Sequence, residues 1–277
     1  MNAQHLESKF DVIGARLNVR EIPSRWRQGD FTWINPRDYA LDIRRDGDGE
    51  FFELRMPTHL SETVELTVLQ CDPKQRHLLL LIRKLGESPQ LDRFLCGHDG
   101  RGCFVAAVPG GASSVRQAFD ALQPAEVRDA LDRHAVPFRH RHERKNPAFV
   151  RQGEWFFMPE PTLVVDKQLV LGNQPLRRDR GKPHLVEQLY HAGGEAVHVS
   201  WRHPNGITEQ EYRELVRQNP TAANDVRWQV MRRNPLVYAR GAVRHRDHAT
   251  IMLPVWHRVV VNTETQSLTL AHVAFPD

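Results

Sequence analysis

Apolar and polar residues alternate in steps of two through much of the first 110 positions, the period of a half-buried strand. Tyr39, Leu41 and Ile43 alternate with polar neighbours, Asp46-Gly47-Asp48-Gly49 supplies a turn, and Phe52, Leu54 and Met56 resume the alternation. Two such runs around a Gly/Asp turn predict a hairpin. Val64, Leu66 and Val68 repeat the pattern, and Asp72-Pro73 turns the chain into the solid run Leu78–Ile82. That run does not alternate, so it predicts a central strand covered on both faces. Phe94–Cys96 and Cys103–Val108, joined by Gly97-His98-Asp99-Gly100, predict a further hairpin. Residues 1–110 therefore read as a β-meander of about five or six strands.

The period changes after Pro109-Gly110-Gly111-Ala112-Ser113. Val115, Ala118, Phe119 and Leu122 fall at helical spacing behind Ser114, a capping residue, and Pro124 opens a second helix carrying Val127, Ala130 and Leu131. Residues 133–151 are basic and without period, and read as an exposed connector, so that 111–150 form a helical pair with its connector.

In residues 151–277 strands are predicted at Trp155–Met158, Leu163–Leu171, Ala196–Ser200, Val226–Met231, Leu236–Val243, Trp256–Asn262 and Leu268–Phe275. Thr208-Glu209-Gln210-Glu211 is a capping box, and opens a helix ending near Asn219-Pro220. No βαβ alternation and no glycine-rich phosphate loop occurs. The fold class expected is α+β, with predominantly antiparallel β-sheets and a few short helices. Arg27-Gln28-Gly29-Asp30 before Phe31 and Trp33 echoes Arg151-Gln152-Gly153-Glu154 before Trp155 and Phe156, and the two read as turns feeding aromatic strands rather than as a true repeat.

Composition narrows the class. No apolar run approaches the ~18 residues that span a bilayer, and the first residues lack a basic-then-apolar leader, so a cytoplasmic, membrane-free protein is expected. Cys71, Cys96 and Cys103 are too few for a disulfide framework. A formal charge of +4 with 15 histidines and a pI near 9.1 tilt the chain toward polyanionic partners.

Two kinds of chemistry stand out. The first is Arg244-His245-Arg246-Asp247-His248-Ala249-Thr250 followed by Trp256-His257. Imidazole and carboxylate suit zinc or manganese, so His245, Asp247, His248 and His257 are candidate ligands for a divalent metal. His248 and Thr250 share a strand face, and pairing of 248–253 with 256–262 would set His257 opposite them. Without a metal, His245, His248, His257 and Thr250 are the candidates for acid–base catalysis. The H-x-D-H order resembles the latter half of the metallo-β-lactamase motif, but Val243 stands at its first histidine and the glycine-rich αβ context is missing. His198-Val199-Ser200 with His248-Ala249-Thr250 resembles the paired H-x-S/T units of the 2H phosphoesterases, although Asp247 replaces the usual apolar residue.

The second is basic charge. Arg139, Arg141, Arg144, Lys145 and Arg151 form one cluster, and Arg177, Arg178, Arg180 and Lys182 another. Guanidinium forks match phosphate oxygens, and Trp26, Trp201 and Trp228 each adjoin an arginine, as base stacking requires. Cys96-Gly97-His98 and Cys103 bracket a turn, yet without a C-x-x-C they read as buried thiols. The chain is thus expected to associate with RNA or another polyanion and to carry phosphodiester chemistry at its C-terminal His/Asp site. A metal-dependent hydrolase of a small molecule and a non-catalytic subunit among other protein subunits are the alternatives, and the sequence does not decide whether it is an enzyme.

Overall fold

The structure is a computed structural model, and describes residues 3–22, 39–86, 89–99, 102–178, 182–219 and 227–264. Trp26, the 27–33 half of the echo, Gly100, Arg180, Pro220, Val226 and the predicted strand 268–275 lie outside them. The protein is α+β and mostly antiparallel, in two compact units. Among the described residues, the first comprises those up to Glu154 with short returns of the chain at 247–249 and from Val261, and the second the rest.

The first unit contains α1 (Ala3–Val12), β1 (Leu17–Ile22), β2 (Ala40–Asp46), β3 (Gly49–Pro57), β4 (Val64–Asp72), β5 (His77–Lys84), β6 (Gln90–Asp99), β7 (Gly102–Val108), α2 (Val115–Leu122), α3 (Ala125–Arg133), β8 (Lys145–Asn146) and β9 (Phe149–Gln152). The meander is two sheets, ordered β1-β3-β2 and β4-β5-β6-β7, and β1 joins β3 in parallel. The helix α1 replaces meander at the start: Leu6, Phe10 and Ile13 recur at helical spacing and are almost wholly buried. The β2–β3 hairpin closes at Asp46 and Gly49. Within β5, Leu78, Leu80 and Ile82 join one core cluster and Leu79 another, so both faces of this strand are covered. Ser114 caps α2, its hydroxyl accepting from the Gln117 N–H at 3.2 Å.

The connector at 133–151 is partly built. Asn146 Oδ1 accepts from the N–H groups of Ala148 (2.9 Å) and Phe149 (3.1 Å), which folds β8 back onto β9 and buries Ala148 and Phe149.

The second unit contains β10 (Trp155–Pro159), β11 (Leu171–Leu176), β12 (His184–Ala192), β13 (Glu195–Val199), β14 (Ile207–Thr208), α4 (Glu209–Gln218), β15 (Gln229–Arg233), β16 (Leu236–Arg244) and β17 (Ile251–Val261). Its larger sheet runs β11-β12-β16-β17-β10, its smaller one β14-β13-β15. The predicted strand 163–171 is instead loop and one turn of 3₁₀ helix, with Asp166 Oδ1 accepting from Gln168 N–H. Val164 is exposed, so apolar residues there do not report burial. The predicted 248–253/256–262 hairpin does not form, because both halves belong to β17. Pro254 sits where the β16–β17 register shifts, a place that needs no ladder donor.

Candidate metal centre

Strand register assembles the site. Leu185 of β12 faces Arg244 of β16, so His184 at the start of β12 comes beside His245, just past the end of β16. Their rings stack with centroids 4.2 Å apart and planes 20° off parallel, and His184 is buried. The chain then turns through 245–250 and re-enters the sheet where Ile251 pairs with Val243. That loop carries His248, and one ring nitrogen from each of His184, His245 and His248 lies within 4.8 Å of the others. Imidazole nitrogens around zinc sit ~2.0–2.1 Å from the ion, hence about 3.3 Å apart in a tetrahedron. Three neutral imidazoles fit zinc, manganese or iron, and leave a fourth position open.

The approach to β16 is held by a bulge. Gly241 has φ +85°, and a Cβ there would fall 2.6 Å from Glu187 Oε2. Glu187 Oε2 accepts from the Ala242 N–H at 2.8 Å, which fixes the strand end that presents His245. The Ala249 carbonyl accepts from Gln152 Nε2 at 2.7 Å and pins the loop.

Positive charge collects at the same end of this sheet. Leu176 faces His184 across the β11–β12 ladder, so residues 177–183 lead directly into the histidine. Arg177 and Lys182 are exposed there and Arg178 is half-buried, while exposed Arg244 and Arg246 flank His245. Asp247 is half-buried in the loop, and Thr250 is exposed at its end.

His257 is placed otherwise. It pairs with Ala239 in the body of the sheet, about 20 Å along β17 from Ile251. The ring is buried, its Nδ1 is 2.8 Å from the Val255 carbonyl, and burial pushes its pKa down against the lift from that bond. Neither His257 nor Asp247 belongs to the three-histidine group, and His184, which does, follows the second basic cluster in the sequence without being a candidate ligand there. His184 stands alone between Pro183 and Leu185 with no motif around it, and only the β12–β16 pairing reveals it.

In the first unit the basic residues are largely engaged by their own loop. Arg141 pairs with Asp132 at 2.7 Å and donates to the Val136 carbonyl, Arg139 donates to His140, and His140 meets Glu143 at 2.6 Å. Lys145 and Arg144 are exposed and Arg151 is half-buried in β9. Cys96 is buried and its pKa is driven up by desolvation. Cys103 is raised to about 11 by burial and Glu50, so its thiol stays protonated beside His98, whose Nδ1 is 3.9 Å away. Such thiols are poor metal ligands.

The chain matches no family model, no curated protein and no solved structure. Fold and site define an α+β protein, predominantly antiparallel, with a candidate three-histidine metal site. Among the described residues no helix is long and apolar enough to cross a membrane.

Proposed function

We propose that this protein is a metal-dependent hydrolase of phosphate esters, with a divalent transition-metal ion held by His184, His245 and His248. The observation that supports it is the convergence of the three imidazoles at the end of the sheet where β11 ends, β12 begins and the 245–250 loop emerges. When bound, such an ion supplies a coordinated water with a pKa near ~7 and polarises a phosphoryl oxygen. The chain's own part is positional. Arg244 and Arg246 on either side of His245, with Arg177, Arg178 and Lys182 ahead of His184, favour an anionic substrate and hold its phosphate oxygens. Asp247 provides the carboxylate in the loop, suited to orienting a ligating imidazole from behind.

A polyanionic substrate such as RNA follows from the same charges. The basic residues at 139–151 are a weaker support, since several are occupied by partners of their own loop.

Hydrolysis of bis(p-nitrophenyl) phosphate with added Zn²⁺ or Mn²⁺ tests the reading. Turnover abolished by chelation, restored by metal, and reduced at least ~100-fold by His245→Ala is expected. Metal-independent turnover, or none with either ion while the protein is folded, would contradict it.

A further inference from the structure

The geometry points to a nucleobase-binding cleft in the β13–β15/α4 region of the second unit, built to stack a base of single-stranded RNA on Trp228. This site is independent of the metal reading, and shares no residue with it.

Residues 195–233 fold as a small module. The strand β13 pairs with β14 and β15, and α4 starts at a complete capping box: Thr208 N–H donates to Glu211 Oε2 at 2.7 Å, and Thr208 Oγ1 accepts from Glu211 N–H at 3.3 Å. The box thereby satisfies the Thr208 and Glu211 N–H groups from within. Aromatic rings then fix one another. His198 on β13 stacks on Tyr212 of α4 with centroids 4.1 Å apart and planes 10° off parallel, and its Nε2 lies 2.5 Å from Glu209. Trp228 stands edge-on to Tyr212 at 5.1 Å and 74°, and edge-on to His198 at 6.4 Å and 80°. Held by two edges, the indole lies nearly parallel to His203, with centroids 5.4 Å apart and planes 19° off parallel. The result is a rigid, half-exposed aromatic shelf.

The shelf walls an open cleft of about 890 Å³, which also presents Arg202, Gln210, Gln218 and Asn219. Its two carboxylates are ionised and engaged by the helix itself, and Glu214 is ion-paired with Arg217. Glu211 is held by the cap, and Glu214 accepts from Arg217 and from Gln218. Both consequently stay below the ordinary carboxylate range. Trp201, the chain neighbour of Arg202 in the lining, is 72% exposed, with the Arg202 guanidinium 4.8 Å from its ring centroid. An exposed indole carrying a guanidinium is a second stacking surface with a phosphate-seeking cation beside it.

Each feature has a counterpart in one ligand. A flat, fixed aromatic surface suits any base face, carboxamides suit the donor–acceptor edge of adenine, and the rim arginine suits the backbone phosphate. The exposed Trp201 offers a further face on which a base can stack. Duplex RNA hides those faces and is excluded.

Anisotropy of a fluorescein-labelled 15-mer oligoadenylate, titrated with the full chain in EDTA, tests the cleft without the metal. Salt-sensitive binding is expected, weakened ~10- to 100-fold by Trp228→Ala and less by Trp228→Phe, which keeps the edge packing on Tyr212. Trp201→Ala, at an exposed position, is expected to weaken binding without moving the thermal transition. Competition by AMP as strong as by the 15-mer would assign the cleft to a free nucleotide. Competition by the strand alone would assign it to RNA. No binding at low salt, or full affinity in both tryptophan variants, would overturn the proposal. Loss of hydrolysis with binding intact would remove the metal reading and leave this one.

Discussion

The strand β5 in the first unit and the strand β16 in the second obey different rules. In β5, five consecutive aliphatic residues are buried, four of them shared between two cores, and the ladder runs without a break against β6. In β16 the ladder shifts register near Gly241, a glycine takes a left-handed conformation, and the strand ends among imidazoles. Packing alone accounts for every side chain of the β5 run. It does not account for His184 and His245 stacked at a strand end. Departures from the packing rule gather where a site has to be presented.

Particular arginines differ in the same way, although Arg233 in the second unit is paired with Glu195. In the first unit Arg55 sits against Asp42 and Glu53, Arg16 against Asp46 and Arg141 against Asp132. These arginines tie hairpins and loops together. In the second unit Arg177, Arg244 and Arg246 are exposed beside histidines, and Trp201 is exposed beneath Arg202.

The sharpest way to test the comparison is to damage each strand by its own rule. Leu80→Ala removes a fully buried side chain from β5, and should lower stability by about 2–5 kcal/mol in urea unfolding. Gly241→Val places a Cβ against Glu187 at positive φ, and is expected to lower stability by roughly 1–3 kcal/mol. Its distinguishing effect is on metal affinity, since the displaced strand end carries His245, whereas Leu80→Ala should leave metal affinity of the folded protein unchanged. Isothermal titration with Zn²⁺ separates the two. Thr208→Ala takes away one half of the capping box, costing about 1 kcal/mol without touching metal binding.

Acid offers a milder handle. Burial holds His98, His142, His191 and His257 below the ordinary imidazole value. With the folded pKa below the unfolded one, the unfolded chain takes up protons first. The associated stability is fully present above pH ~6.5 and drains away as pH falls toward the folded values. Urea midpoints should therefore decline from about pH 6.5 downward, ahead of the carboxylates, and His257→Gln should flatten part of that slope.

Much of this molecule is legible in its sequence, for local reasons. The Asp46–Gly49 turn, the capping box at Thr208 and the non-alternating run of β5 each announce themselves within a few residues. The α1 helix is not evident because Leu6, Phe10 and Ile13, three apolar residues over eight positions, are a thin stripe beside the alternation that follows. The split of the meander into two sheets depends on β1 joining β3 in parallel, a pairing between distant segments. β17 was cut in two at Pro254, whose lost donor is absorbed by a register shift that no local pattern encodes. The site shows the same division. His245 and His248 are close in sequence and were visible, His184 is brought in by strand pairing and was not, and His257 is close in sequence yet held far down the sheet.

His184 is thus the residue on which the metal centre most directly turns. Elemental analysis of wild-type protein and of His184→Ala, both purified without chelator and checked by circular dichroism, puts it to the test. Near-stoichiometric zinc or manganese in the wild type, lost from a variant that keeps its fold, is the expected result. Wild-type protein free of metal that also fails to take up either ion, or a variant that retains its full complement, would contradict a centre built on His184, His245 and His248.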